Sequence, residues 1–214
     1  MLRLQRFEFN PLQENTYVLF DSTRECVIID PGCYDPEEKD ELARFIKENN
    51  LIVKMLLNTH GHVDHVLGNA FVKNTYSVKL YISKEDEATL RAVKVYAPHY
   101  GFFQYDEAEP DEFLIEGDVI KFGQQQLKVL FVPGHAPGHI AFYHEEQKLI
   151  VAGDVLFYNS IGRTDLPGGN FDTLIKSIHE KLFTLPNDVT VYPGHGPETT
   201  IGFEKKTNPF CGLG

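Results

Sequence analysis

The stretch HGHVDH, residues 60–65, places three histidines and an aspartate directly behind an apolar run, Ile52 to Leu57. The same arrangement recurs downstream. His135 in FVPGHAPGH follows Leu127 to Val132, Asp154 in LIVAGDVLF follows Leu149 to Ala152, and His195 in VYPGHG follows Val189 to Tyr192. Glycine adjoins each of these later residues, which lets the backbone turn and bring a ligand close. Ligand-bearing loops at the ends of apolar strands are where α/β proteins place their chemistry.

Clustered histidine and aspartate indicate a metal or an acid/base site. A helix would place His60 and Asp64 on one face and His62 on the other, so the helical HExxH logic does not apply. In an extended loop His60, His62 and Asp64 share a side and His65 points away. A single tetrahedral ion takes about four ligands, and structural zinc sites usually include cysteine, which is missing from this cluster. Five histidines and two aspartates exceed the needs of one ion but fit two ions sharing a bridging carboxylate.

Local patterning predicts the scaffold. Leu2 to Phe9, Thr16 to Phe20 and Glu25 to Asp30 read as strands separated by turn residues. Asp35 followed by Pro36 and a run of acids reads as a capped helix with Leu42, Phe45 and Ile46 on one face. Val66 to Tyr76 and Lys84 to Tyr96 read as helices around a strand at Lys79 to Ile82. Four strands, Val119 to Phe122, Leu127 to Val132, Ile140 to Tyr143 and Leu149 to Ala152, precede a helix at Phe171 to Phe183 and a last strand at Val189 to Tyr192. Strand runs with helices at both ends predict an α/β (α+β) fold of two packed sheets with helices outside. No stretch reads as a linker or a repeat, so residues 1–214 are expected to form one domain.

Composition removes several classes of function. A net charge of −11, from 31 acidic and 20 basic side chains, opposes the phosphate backbone of nucleic acid. No run approaches the ~20 apolar residues of a membrane span. The N-terminus, MLRLQRFEFN, alternates like a half-buried strand and has no continuous apolar core of the kind a secretory signal needs. Cys26, Cys33 and Cys211 are widely separated, which suits a reducing compartment. A cytoplasmic protein that binds neither nucleic acid nor membrane is the expectation.

The ordered set HGHVDH, GH, GD and GHG, with IIDPG, PGHAPGH and the ending PGHGPETTIGFEK, resembles the metallo-β-lactamase superfamily, and more closely its glyoxalase II-like (hydroxyacylglutathione hydrolase-like) branch. The likeness runs from about Asn15 to the C-terminus. It implies a four-layer αββα sandwich with metals at one edge between the sheets. It implies His60, His62 and His135 around a first metal, Asp64, His65 and His195 around a second, and Asp154 bridging both. Asp64 would also orient or hold a metal-bound hydroxide. His139 and Asp30 match supporting positions that orient ligands by hydrogen bonds. The ligand set suits two divalent ions per chain, zinc first, with iron and manganese also accommodated.

Two bound cations lower the pKa of water from 15.7 toward ~7, which supplies a nucleophile at neutral pH. A thiolate, of pKa about 8.5, leaves without a strong general acid, so a site made of metal ligands suits thioesters. The resemblance points the same way, to a small-molecule acyl-thioester such as S-lactoylglutathione. Full-length glyoxalase II carries a C-terminal helical domain with basic glutathione contacts. This chain ends at Gly214, soon after His195, so those contacts are not expected. Within YNSIGRTDLPGG, Tyr158 and Arg163 are candidate substrate contacts, and the planar fork of Arg163 suits a carboxylate clamp or a structural ion pair equally.

The rivals are a mononuclear iron persulfide dioxygenase using His60, His135 and Asp154, and another ester or lactone hydrolase of the superfamily. A lactonase pattern wants a tyrosine where Phe157 stands. The second set, Asp64, His65 and His195, favours hydrolysis. Tyr96 to Tyr105, YAPHYGFFQY, packs as core or forms a flap over the site. His99, His144 and His179 have no motif around them and are expected at the surface.

Overall fold

Apolar residues occupy both faces of the central strands, so each sheet must be covered twice. The computed structural model, which describes residues 1–214, does this with two six-stranded sheets packed face to face and helices outside. The first sheet runs in order β1 (Arg3–Phe9), β2 (Glu14–Phe20), β3 (Glu25–Ile29), β4 (Ile52–Leu57), β5 (Leu80–Ser83) and β6 (Glu112–Leu114). The second contains β7 (Val119–Phe122), β8 (Gln125–Phe131), β9 (Ile140–His144) and β10 (Leu149–Gly153). A small hairpin, β11 (Leu156–Phe157) with β12 (Ser160–Ile161), leaves it before β13 (Thr190–Pro193) and β14 (Thr199–Thr200) return. The strand β13 lies parallel to β10 and completes the sheet order β14-β13-β10-β9-β8-β7.

Alternation along each strand divides its side chains between layers. Tyr17, Leu19, Val27 and Ile29 face Leu127, Val129, Phe142 and Val151 across the space between the sheets. Val18, Cys26, Ile28 and Leu56 point the other way, against Leu42 and Ile46 of α1 (Pro36–Glu48). The same outer layer takes Val66 of α2 (Val63–Val66), Val72 of α3 (Asn69–Tyr76) and Leu90 and Val93 of α4 (Glu87–Tyr96). Ile150, Ala152 and Val191 pack on Leu174 of α5 (Phe171–Ser177) and Ile201 of α6 (Ile201–Thr207). Each fully buried Leu, Ile or Phe contributes roughly 1.5–3 kcal/mol. The result is the expected αββα sandwich.

The capped helix is present as read. Asp35 stands at the N-cap and Pro36 follows, and Glu38 accepts the backbone N–H groups of Asp35, Tyr34 and Asn10. β2 and β8 each begin two residues earlier than read, Lys84–Asp86 is a 3-10 turn before α4, and two other helices differ more. The helix expected at Val66 to Tyr76 begins earlier, as α2, breaks at Gly68, and resumes as α3. The helix after Phe171 turns into a π-turn at Ile178–Leu182. Short elements with little periodicity, β6, β11, β12, β14 and α6, carried no readable strand or helix pattern. No helix is long and apolar enough to cross a membrane.

Candidate metal centre

The C-terminal ends of β4, β8, β10 and β13 meet at one edge between the sheets, and each delivers a residue singled out in the sequence. His60 and His62 follow β4, His135 follows β8, Asp154 follows β10 and His195 follows β13. Two cross-sheet backbone bonds close this edge: Ile140 N–H donates to Thr59 O at 2.9 Å and Asn15 N–H to Gly194 O at 2.7 Å.

Seven side chains converge there as two clusters. His60, His62 and His135 offer ligand atoms within 4.8 Å of one another, and so do Asp64, His65 and His195. Asp154 touches both: Oδ2 lies 3.5 Å from His135 Nε2 and 3.6 Å from His195 Nε2, and Oδ1 lies 3.4 Å from His65 Nε2. Asp64 Oδ2 is 3.1 Å from His195 Nε2. The extended-loop expectation for Asp64 is corrected here. His62 is the N-cap of α2, with extended backbone at ψ 152°, and from Val63 the chain is helical. Asp64 and His65 therefore ride a helical turn together and face His195, with the His65 ring also 4.2 Å from that of His60.

Hydrogen bonds at the rear of the rings fix which nitrogen faces inward. His135 Nδ1–H donates to Arg163 O at 2.7 Å, and His195 Nδ1–H to Gln13 O at 3.1 Å; a carbonyl can only accept. His65 Nδ1 faces Asp30 Oδ2 at 3.1 Å. The Thr59 hydroxyl donates to Asp30 Oδ2 at 2.5 Å and so accepts from His60 Nδ1 at 3.0 Å. These anchors turn the Nε2 of all four rings toward the centre. His60 Nε2, His65 Nε2 and Asp154 Oδ1 are buried without a hydrogen-bond partner, an expensive arrangement unless a cation completes it. The donor set, neutral imidazoles and carboxylates, fits divalent metals.

Electrostatics separate the clusters. Burial, with the neighbouring His65 and His139, holds His60 well below the usual histidine range, and burial with His135 lowers His62 to about 4. Burial also opposes charge on His65, but Asp64 and Asp154 outweigh it and hold that proton well above the usual range. His195 is raised likewise, its burial outweighed by the hydrogen bond to Asp64 and by Asp154. Asp154 is buried and Asp64 largely so, and burial opposes their charge, yet His65 keeps both ionised below the ordinary carboxylate range.

The supporting residues stand behind the ligands. Asp30, in a left-handed turn at φ 50°, also accepts the Thr59 N–H at 2.7 Å. His139 Nε2 accepts the Asp154 N–H at 3.0 Å and its ring stacks on His60 at 4.7 Å. Gly194 is required by packing, because a Cβ there would overlap Asp154 Oδ1. The side chain of Arg163 is exposed and paired with Asp165 at 2.7 Å through both Nε and Nη2. Tyr158 is 50% exposed and stacks on Phe203 at 5.2 Å, whereas Phe157 approaches His195 edge-on at 6.2 Å.

The aromatic segment divides. Phe102 is buried and Tyr96 and Tyr105 are half-buried against the first outer core, while Phe103 (78%) and Tyr100 (50%) stand in solvent. His144, expected at the surface, is buried, with Nε2 3.1 Å from Gln125 Oε1. Sequence reasoning passed over Thr59, although it directly precedes His60, and Glu14, a fully buried acid with Oε1 3.8 Å from His65 Nδ1. The carbonyls of Gln13 and Arg163 leave no signal in side-chain identity.

Residues 9–195 match the family model described as the metallo-beta-lactamase superfamily. The chain belongs to that superfamily. Over 92% of its own length and 92% of the relative's, it is 40% identical to the hydroxyacylglutathione hydrolase GloC of Haemophilus influenzae. Among solved structures, TTHA1623 in a di-iron-bound form is 37% identical with a TM-score of 0.86, covering 96% of this chain and 99% of that one. The B3 metallo-β-lactamase BLEG-1 is 33% identical with a TM-score of 0.83, covering 99% and 100%. With this membership and the two bridged clusters, the protein is a metal-dependent hydrolase of the superfamily with a His/Asp dimetal site.

Proposed function

We propose that the protein hydrolyses an acyl-thioester of the S-lactoylglutathione class, giving a carboxylic acid and a free thiol. The observation that carries this reading is the complete set of seven ligands, bridged by Asp154, in a chain 40% identical to a hydroxyacylglutathione hydrolase. His60, His62 and His135 would hold one cation, Asp64, His65 and His195 the other, and zinc is our first choice for both. When bound, such a pair acidifies water toward neutrality and polarises a carbonyl.

The chain's own groups do the rest. Asp154 holds the two half-sites at a fixed spacing. The Nδ1 anchors on Asp30, Thr59, Gln13 and Arg163 keep the rings from turning. Asp64, ionised and with Oδ2 3.1 Å from His195 Nε2, would orient the attacking water or hold the hydroxide formed from it. The departing thiolate needs no general acid, which suits a site whose polar side chains are engaged as ligands. Tyr158 and Arg163 are proposed to meet the substrate's polar end; for Arg163 this requires release of its exposed pair with Asp165.

The test is loss of thioester absorbance with S-D-lactoylglutathione, using zinc-loaded protein beside Asp64→Ala. Turnover that collapses in the variant supports the reading. Its absence in every metal form would remove this substrate. The di-iron form of TTHA1623 keeps iron among the metals to load; the rival reading, persulfide oxidation at a single iron held by His60, His135 and Asp154, is checked by oxygen uptake with glutathione persulfide. The likeness to BLEG-1 makes a β-lactam the third substrate of the same panel.

A further inference from the structure

Asp86 is fully buried at the start of α4 and faces both loops that carry the first cluster. Its Oδ2 accepts the N–H of Gly61, the residue between His60 and His62, in a short hydrogen bond. Its Oδ1 accepts the N–H of Gly138 at 3.1 Å, in the loop between His135 and His139, and the Thr89 hydroxyl at 3.1 Å. These loops leave different sheets, the first after β4 and the second after β8. The approach is close: a Cβ at Gly138 would overlap the backbone of Asp86, and one at Gly61 would overlap the backbone of Leu90 in α4.

We propose that Asp86 is the positioning residue of the first half-site, a carboxylate staple that sets the spacing between the His60–His62 pair and His135. The inference rests on the ligand assignment above. A carboxylate suits this point because two buried N–H donors arrive from two loops, one on each oxygen. An amide would have one acceptor oxygen and would turn its NH2 toward the second N–H. An alanine would leave both donors unpaired, a state that buried backbone groups avoid. With the staple in place, His62 Nδ1 and His135 Nε2 lie 2.8 Å apart, and both rings meet that of His60 at 4.7 and 4.9 Å. Asp86 touches neither ligand nor substrate, so its effect reaches the centre through the two loops alone.

The experiment uses the full chain stripped of metal and titrated with Co(II) against a competing chelator, following visible absorption and metal per chain. Circular dichroism and thermal unfolding of the metal-free proteins report folding. For Asp86→Asn we expect a folded protein whose three-histidine site binds Co(II) about 10–100-fold more weakly, with an altered spectrum, while the second site keeps its affinity. A purely structural role would lower thermal stability and leave the spectrum and the difference between the sites unchanged. Should Asp86→Asn not fold, Thr89→Val, which removes only the hydroxyl that steadies Oδ1, is expected to weaken the same site a few-fold. Native affinity and spectrum in Asp86→Asn, or in Thr89→Val if that is the variant that folds, overturn the proposal. A native protein that binds fewer than two ions overturns the ligand assignment and this inference with it, so the two failures are distinguishable.

Discussion

The two halves of the centre share Asp154 but differ in how they hold protons. In the first, burial and neighbouring rings keep His60 and His62 neutral, His62 down to about 4. In the second, Asp64 and Asp154 overcome burial and hold protons on His65 and His195 beyond the usual range. Burial is common to both, so the carboxylates decide the sign. A cation enters the first half-site against little proton competition at His60 and His62. At the second it must displace a proton from His65. One half is ready for its ion at neutral pH, and the other is filled by exchange.

The largest effect that would break this comparison comes from its shared member. Asp154→Ala removes the carboxylate that contacts His135 of the first half and His65 and His195 of the second, and should lower thioester turnover by more than about 100-fold, beyond the range of supporting residues. Metal analysis of the variant should show fewer than two ions per chain. Retention of both ions with near-native turnover would mean that the halves act independently.

Acid is expected to separate them. Since the second-site histidines titrate above their ordinary values, lowering pH raises proton competition there first, about tenfold in affinity for each unit and each proton displaced. Equilibrium dialysis should give two ions per chain at about pH 8 and closer to one at about pH 6, the remaining ion held by the three-histidine cluster. Equal loss at both sites would contradict the assigned protonation states.

Replacing a ring anchor gives a smaller, graded effect. Asp30→Asn exchanges the carboxylate that faces His65 directly, and His60 only through Thr59, for an amide, and should weaken the second site about 10–100-fold and the first less. Competition with a chelator reads the two affinities separately. The least expected change is from Arg163→Ala. Its carbonyl still accepts from His135, and its pair with Asp165 is exposed and screened by water. Metal content and thermal stability should hold, so a raised KM with unchanged kcat would isolate a substrate contact.

Much of this was readable from the chain itself. Apolar runs followed by Gly, His or Asp marked the strand ends that meet at the site, and the Asp35–Pro36 start of α1 showed its cap chemistry in one dimension. The grouping of ligands was harder. Extended alternation put Asp64 with His60 and His62, and one helical turn from Val63 reassigned it. Carbonyl anchors such as Gln13 O and Arg163 O depend on where backbones cross, which side-chain identity does not record. Asp86 carries no signal in the sequence, because its two backbone partners are glycine amides from loops distant in the chain. The short strands β6, β11, β12 and β14 fell below the length at which periodicity is visible.

The central claim, two cations acting together across Asp154, is tested most directly by adding zinc stepwise to metal-free protein at about pH 8 while following turnover of S-D-lactoylglutathione and bound metal together. Turnover that stays near zero through the first equivalent and rises with the second is the result expected of a centre whose second half supplies Asp64. Full turnover at one equivalent, with no further gain, would contradict it.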